Sequence, residues 1–296
     1  MRCGFVSIVG RPNVGKSTLL NSILGMKLAI TSNVSGTTRN IIQGIYNDKE
    51  SQIVFVDTPG IHKPSNKLGN LLNKKAYNNT EGVDLILFLV DISKGFGKGD
   101  QFILERIKDK NIPIFLILNK IDQVKNKENL LSEIDKLRQL YSFKEIIPLS
   151  AAKNDNVDLL IECVKKYLPE QDAIYSDEEL TNVTTRFIMA EFVREKVLEL
   201  THDEIPHTVT CYVENYEEDE KVVHIQVLIV VDRDNIKKII IGKQGSMLKE
   251  VGTRARKDME EFLGKKVFLE TYVKTLKNWR DQERYFVELG LKDEDE

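Results

Sequence analysis

Long apolar runs are missing from this chain. Hydrophobic residues make up 41% of its 296 positions, yet no stretch approaches the ~20 residues that a membrane-spanning helix needs. Cysteine is scarce. Cys3, Cys163 and Cys211 lie far apart and show no metal-ligand spacing, so neither a disulfide framework nor a zinc site is expected, only reduced cytosolic thiols. A cleaved leader is not expected either, because MRCGFVSIVG runs almost at once into a strand-like segment. Repeats and low-complexity tracts are absent. Neither sign of charge dominates: 43 basic side chains face 46 acidic ones, a net −3. The distribution is uneven, however. Residues 1–172 hold 24 basic and 19 acidic side chains (+5), and 175–232 hold 4 and 14 (−10). Residues 233–284 hold 14 and 8 (+6), and 285–296 hold 1 and 5 (−4). A locally basic segment in a mildly acidic chain says more about partners than the total does.

What the chain does have is short, unbroken apolar runs at 5–9, 53–56, 85–90, 114–118 and 146–149. Runs of that kind suit strands buried on both faces of a parallel sheet. Amphipathic stretches at 101–110, 127–141 and 157–167 read as helices between and after them. The length suits two domains. The first, 1–172, is expected to be an α/β domain with a doubly wound, mostly parallel sheet. PEQDAIYSDEEL then reads as a linker, with the boundary near Asp172. The second domain, 173–296, is expected to be α+β. It comprises a helix at about 178–200, alternating strands at 207–216 and 222–231 joined by a hairpin, a helix–GKQG–helix unit, and a strand at 266–276.

Gly10, Arg11, Pro12, Asn13, Val14, Gly15, Lys16 and Ser17 form GxxxxGKS between a strand and a helix that opens at Thr18. In that context the backbone amides cradle phosphate oxygens, aided by the positive end of the helix. Lys16 is expected at the β- and γ-phosphates and Ser17 at Mg²⁺. The base is read by Asn119, Lys120 and Asp122 of NKID, directly after the 114–118 run. A carboxylate there accepts from the N1–H and the amine of guanine, and adenine lacks that donor pair. Such a site rejects the wrong base by roughly 10⁴–10⁵. Ser150, Ala151 and Ala152 follow the last strand and are expected to support guanine from the other side.

Asp57, Thr58, Pro59 and Gly60 form DxxG after the 53–56 run. The aspartate is expected at Mg²⁺ and the glycine amide at the γ-phosphate. Gly36, Thr37, Thr38 and Arg39 lie where a switch loop would supply a threonine to the metal. Thr38 is preferred over Thr37, and the choice stays open. The metal set is therefore Ser17, Thr38 and Asp57. Ile61 follows DTPG, where a glutamine would position the attacking water. Two readings remain: a slow switch, or hydrolysis assisted by K⁺ beside Asn13, since asparagine at this position accompanies potassium in related GTPases.

In the second domain, Gly242, Lys243, Gln244 and Gly245 form a GxxG between two helical stretches. A loop of this type clamps a single-stranded nucleic-acid backbone across about four nucleotides. Lys238, Lys249, Arg254 and Arg256 stand around it and are expected to contribute to RNA binding. Apolar positions on the two helices and the adjoining strand are expected to line the groove for the bases. A helix–helix turn with a solvated basic face is the alternative, and a protein-binding module the rival function. A metabolic P-loop kinase is a further rival, disfavoured by NKID.

With GRPNVGKSTLLN, GTTR, DTPGIHKP, NKID, SAAK, IIGKQGSMLKEVGTRARKDMEEFLGKKVFLETYVK and NWRD, the chain resembles the Era family of bacterial GTPases from end to end. The resemblance implies a GTPase domain joined to a type II KH domain. It implies GTP and GDP as ligands and binding near the 3′ end of small-subunit ribosomal RNA during assembly of that subunit. It further implies a cytoplasmic location with some peripheral membrane association. A hydrophobic residue at Ile61 agrees with the family. No obligate oligomer is expected. In the expected mechanism, GTP and Mg²⁺ order the loops at 36–39 and 57–63 and thereby control the RNA groove.

Overall fold

A computed structural model describes residues 1–296 except 33, 35–36, 61–66, 79–81, 126, 202–204, 284 and 287–296. The described residues separate into two compact units. The first runs from Met1 to Asn182 apart from two short segments, and the second from Val183 onward.

The first unit is built on six strands: β1 (Arg2–Gly10), β2 (Ile42–Asn47), β3 (Ser51–Asp57), β4 (Leu85–Asp91), β5 (Ile114–Asn119) and β6 (Glu145–Pro148). Their order is β2-β3-β1-β4-β5-β6. All neighbours are parallel except β2, which runs antiparallel to β3. Every residue of β3, β4 and β5 is buried, as unbroken apolar runs require in a sheet covered on both faces. The associated helices are α1 (Lys16–Leu24), α2 (Lys67–Asn78, of which this unit takes Leu72 onward), α3 (Lys98–Ile107), α4 (Lys127–Leu140) and α5 (Val157–Lys165). The winding reverses at β1, which lies between β3 and β4. That reversal opens a crevice at the carboxyl ends of the strands.

Two elements depart from the sequence expectation. β2 is not marked by an apolar run, because its IQGIYN mixes buried and half-buried positions at the sheet edge. The supposed linker is a strap along that edge. Ile45 N donates to Leu180 O at 2.9 Å, and Gln52 Oε1 accepts from Ile174 N and Tyr175 N at 2.7 and 2.9 Å. Gln171 Nε2 donates to Cys3 O at 2.9 Å, so Asp172 falls within a segment hydrogen-bonded to the first sheet on both sides of it.

The second unit contains α6 (Thr185–Leu200), α7 (Ile205–Thr208), β7 (Thr210–Glu218), β8 (Val222–Val231), α8 (Asp234–Ile241), α9 (Ser246–Leu263) and β9 (Lys266–Thr275). Its sheet has the order β7-β8-β9, with β7 antiparallel and β9 parallel to β8. α6 starts at Thr185 and not near 178 because Thr184 caps it, its hydroxyl accepting from Phe187 N at 3.2 Å. β8 alternates only at first. Val227 to Val231 are all buried, so the pattern becomes continuous. Trp279 closes this unit: it is fully buried and its Nε1–H donates to Thr208 O at 2.8 Å. Among the described residues no helix is long and apolar enough to cross a membrane.

Candidate functional site

Gly10 ends β1, Asp57 ends β3, Asp91 ends β4 and Asn119 ends β5. Parallel register brings these ends together, Ile8 opposite Asp57 and Asp91 opposite Asn119. The loop from Gly10 to Gly15 then turns into α1, with Asn13 held at φ 65°.

Lys16 is buried. Its Nζ donates to Gly10 O at 3.4 Å and Arg11 O at 3.2 Å. Burial pushes its ammonium below the ordinary lysine range, and the nearby Asp57 carboxylate opposes that. Ser17 Oγ donates to Asp57 Oδ2 at 2.6 Å and shares a hydrogen bond of 2.9 Å with Thr38 Oγ1. Of the two threonines, Thr38 is the one whose hydroxyl joins Ser17. Thr37, Thr38 and Arg39 are all buried. Asp57 is wholly buried, and its Oδ1 has no hydrogen-bond partner. Burial raises its carboxyl above the usual range, against the pull of Lys16, Ser17 and Thr38. An orphaned carboxylate oxygen beside two hydroxyls suits a hard cation with oxygen ligands. Thr58 fixes the strand end by donating from Oγ1 to Ile8 O at 2.9 Å, and Pro59 and Gly60 are buried after it. Gly36 and Ile61 lie outside the described residues.

The base-reading residues form one network with the phosphate loop. Asn119 Nδ2 donates to Val14 O at 2.8 Å, and its Oδ1 accepts from Lys120 N at 2.8 Å and Ala151 N at 3.0 Å. Lys120, at φ 67°, sends Nζ to Asn13 O at 2.7 Å and Asp91 Oδ2 at 2.8 Å. Burial works against the Asp91 carboxylate, but Lys120 and Ser93 hold it below its ordinary range. Asp122 is exposed and accepts from Ser150 Oγ at 2.5 Å. Ala152 is exposed beside them. Asp91 was not legible as a site residue, since an aspartate ending an apolar run has no spacing signature of its own.

In the second unit, α8 ends at Gly242 and the GKQG loop makes a single tight turn into α9. Gly242, Gln244 and Gly245 all have positive φ, at 73°, 50° and 77°. A groove of about 520 Å³ runs from this loop between α9 and β9. It is lined by Gly245, Lys249, Gly252 and Arg256 on one side and by Phe268 and Thr271 on the other, among others. Lys249 and Arg256 thus face the groove. Lys238, Lys243 and Gln244 are exposed and do not line it. Arg254 points elsewhere, its Nε donating to Glu250 Oε1 at 2.7 Å. Of the elements expected to line the groove, α9 and β9 line this cleft and α8 does not. Phe268, more than half exposed on β9, was missed. Its alternation with buried Val267 was the available signal.

These two sites match known proteins. A family model described as 50S ribosome-binding GTPase matches residues 5–120, and a KH domain model matches residues 204–280. A crystal structure of a variant of Aquifex aeolicus Era bound to GDP and aluminium fluoride is 40% identical, with a TM-score of 0.95, covering 98% of this chain and 99% of that one. The chain belongs to the Era family. A second structure, Era in complex with MgGDPNP and nucleotides 1506–1542 of 16S ribosomal RNA, is 39% identical at the same TM-score and covers the same shares.

Membership in the Era family makes the first unit a P-loop GTPase domain and the second a KH domain. Its helix–two strands–two helices–strand order, with β8 and β9 parallel, is the type II arrangement. The protein is a GTPase. Among the described residues no cluster of three His, Cys, Asp or Glu could hold a metal. The hydroxyl-rich set at Ser17, Thr38 and Asp57 is a different kind of site, suited to a cation that also takes water and phosphate oxygens.

Proposed function

We propose that this protein binds the 3′ end of small-subunit ribosomal RNA in the α9–β9 groove, under control of the nucleotide at its GTPase site, and acts in assembling that subunit in the cytoplasm. The groove carries this reading. It joins a two-glycine loop that admits a phosphate backbone to a cleft with two cationic side chains and an exposed aromatic ring for a base. The similar Era structure that holds 16S ribosomal RNA nucleotides supports it.

At the nucleotide site, GTP lies on the amides of the phosphate loop. Lys16, which donates to two carbonyls of the loop, is placed to reach the β- and γ-phosphates, whose charge favours its ammonium form against the burial that opposes it. Ser17, Thr38 and Asp57 are the residues that would hold Mg²⁺, which supplies charge neutralisation for the phosphoryl oxygens when bound. Asp122 orients the base, and Asn119 and Lys120 hold the loops that flank it.

The test is RNA affinity in the GDP state and with a GTP analogue. A 3′-terminal small-subunit RNA oligonucleotide should bind more tightly with the analogue, and binding in both states should weaken steeply with added salt, as counterion release requires. Equal affinity with both nucleotides would remove the control, and salt-insensitive binding would favour a protein partner.

K⁺ assistance is a further part of the proposal. It rests on Asn13, whose backbone sits at φ 65° in the phosphate loop, and on the isoleucine at 61 in place of a water-positioning glutamine. Turnover in KCl should exceed that in NaCl at equal ionic strength by about a hundredfold, on the scale of one transition-state charge contact. Equal rates would sink it.

A further inference from the structure

Asp100 lies outside every motif described above. It lies in the first turn of α3, and its side chain is wholly buried. One oxygen accepts from Gly97 N at 2.9 Å, a cap of the helix start. Both oxygens grip Arg11: Nε donates to Oδ1 at 2.8 Å and Nη2 meets Oδ2 at 2.8 Å. The turn is shaped around the arginine stem, because a Cβ on Gly99 would lie 2.5 Å from Arg11 Cδ. Holding α3 to the sheet does not require this pair. Ile103, Leu104 and Ile107 already do that from the core.

The consequence lies on the main chain of Arg11. Its carbonyl is one of the two that accept from Lys16 Nζ, at 3.2 Å. A fork-to-fork ion pair fixes direction as well as distance. We infer that Asp100 is a positioning residue for GTP hydrolysis: through Arg11 it sets the shape of the phosphate loop and the resting place of Lys16. Misplacing a group that contacts the transferred phosphoryl costs rate more than it costs binding, since the ground state tolerates small shifts.

The test uses the full-length protein and steady-state GTP hydrolysis. Asp100→Asn keeps the shape and one acceptor for Gly97 but loses the charge and the second acceptor for Arg11. It should lower kcat about tenfold while KM for GTP stays within about threefold. Arg11→Lys keeps the charge but not the fork, and because Arg11 is partly exposed it gives a second variant that folds. It should lower kcat in the same way. The double variant should be no slower than the slower single, as two ends of one contact demand. Unchanged kcat in both single variants would overturn the inference. So would losses that multiply in the double variant, or a kcat loss that only tracks the unfolded fraction measured by circular dichroism.

Discussion

Asp122→Asn will strip the protein of its preference for guanine nucleotides and move it toward xanthine nucleotides. Asp122 sits in the short turn after β5, where Ser150 Oγ donates to its Oδ1 at 2.5 Å. The carboxylate has only acceptors to offer a base. Guanine answers with two donors, N1–H and the C2 amine. An asparagine turns one acceptor into an amide donor, which then faces the C2 amine donor to donor. Xanthine carries a carbonyl at C2 and restores the match. Sites that rely on such pairing discriminate by roughly 10⁴, so a loss of GDP affinity of that order is expected. Competition of GDP and XDP against a fluorescent nucleotide measures both sides of the exchange. GDP affinity within about tenfold of the parent protein would show that the base is selected elsewhere.

Gly242→Asp combined with Gly245→Asp will abolish RNA binding and leave GTP hydrolysis within about twofold, the scale of ordinary surface changes. The two positions act differently. At Gly242, with φ 73°, a Cβ would lie 2.8 Å from both Met247 Cβ and Met247 N, so the turn must shift. At Gly245 a Cβ meets nothing within 4 Å, although φ is 77°. Gly245→Asp alone therefore reports mainly the added negative charge where a phosphate would pass. The double variant adds backbone strain of about 1–3 kcal/mol. RNA affinity should fall at least about a hundredfold in the double variant, because phosphate contacts supply much of the binding. Fluorescence anisotropy with a 3′-terminal small-subunit RNA oligonucleotide reads the loss. RNA affinity within about threefold of the parent would place the RNA elsewhere, and a matching fall in hydrolysis would mean that the variant is misfolded.

Much of this protein is legible in its amino-acid sequence. Unbroken apolar runs mark five of the six strands of the first sheet, because strands buried on both faces have no polar side to alternate with. GxxxxGKS, DTPG, NKID and GKQG are legible because local spacing sets their chemistry: glycines admit a close backbone, and a lysine or hydroxyl follows at a fixed offset. Contacts between distant parts of the chain are not legible. Nothing in the spacing of residues 37 and 38 says which hydroxyl reaches Ser17, and the folded loop brings Thr38 there. Asp91 becomes a partner of Lys120 only because parallel strands end side by side, and Asp100 reaches Arg11 only because the helix after β4 starts beside the loop after β1. The basic residues around GKQG look alike in sequence. The pitch of α9 turns Lys249 and Arg256 into the groove and leaves Arg254 paired with Glu250. The sequence by itself therefore determined which chemistries are present. Only the tertiary structure decided which side chains share a site, because that depends on strand register and helix phase across many residues.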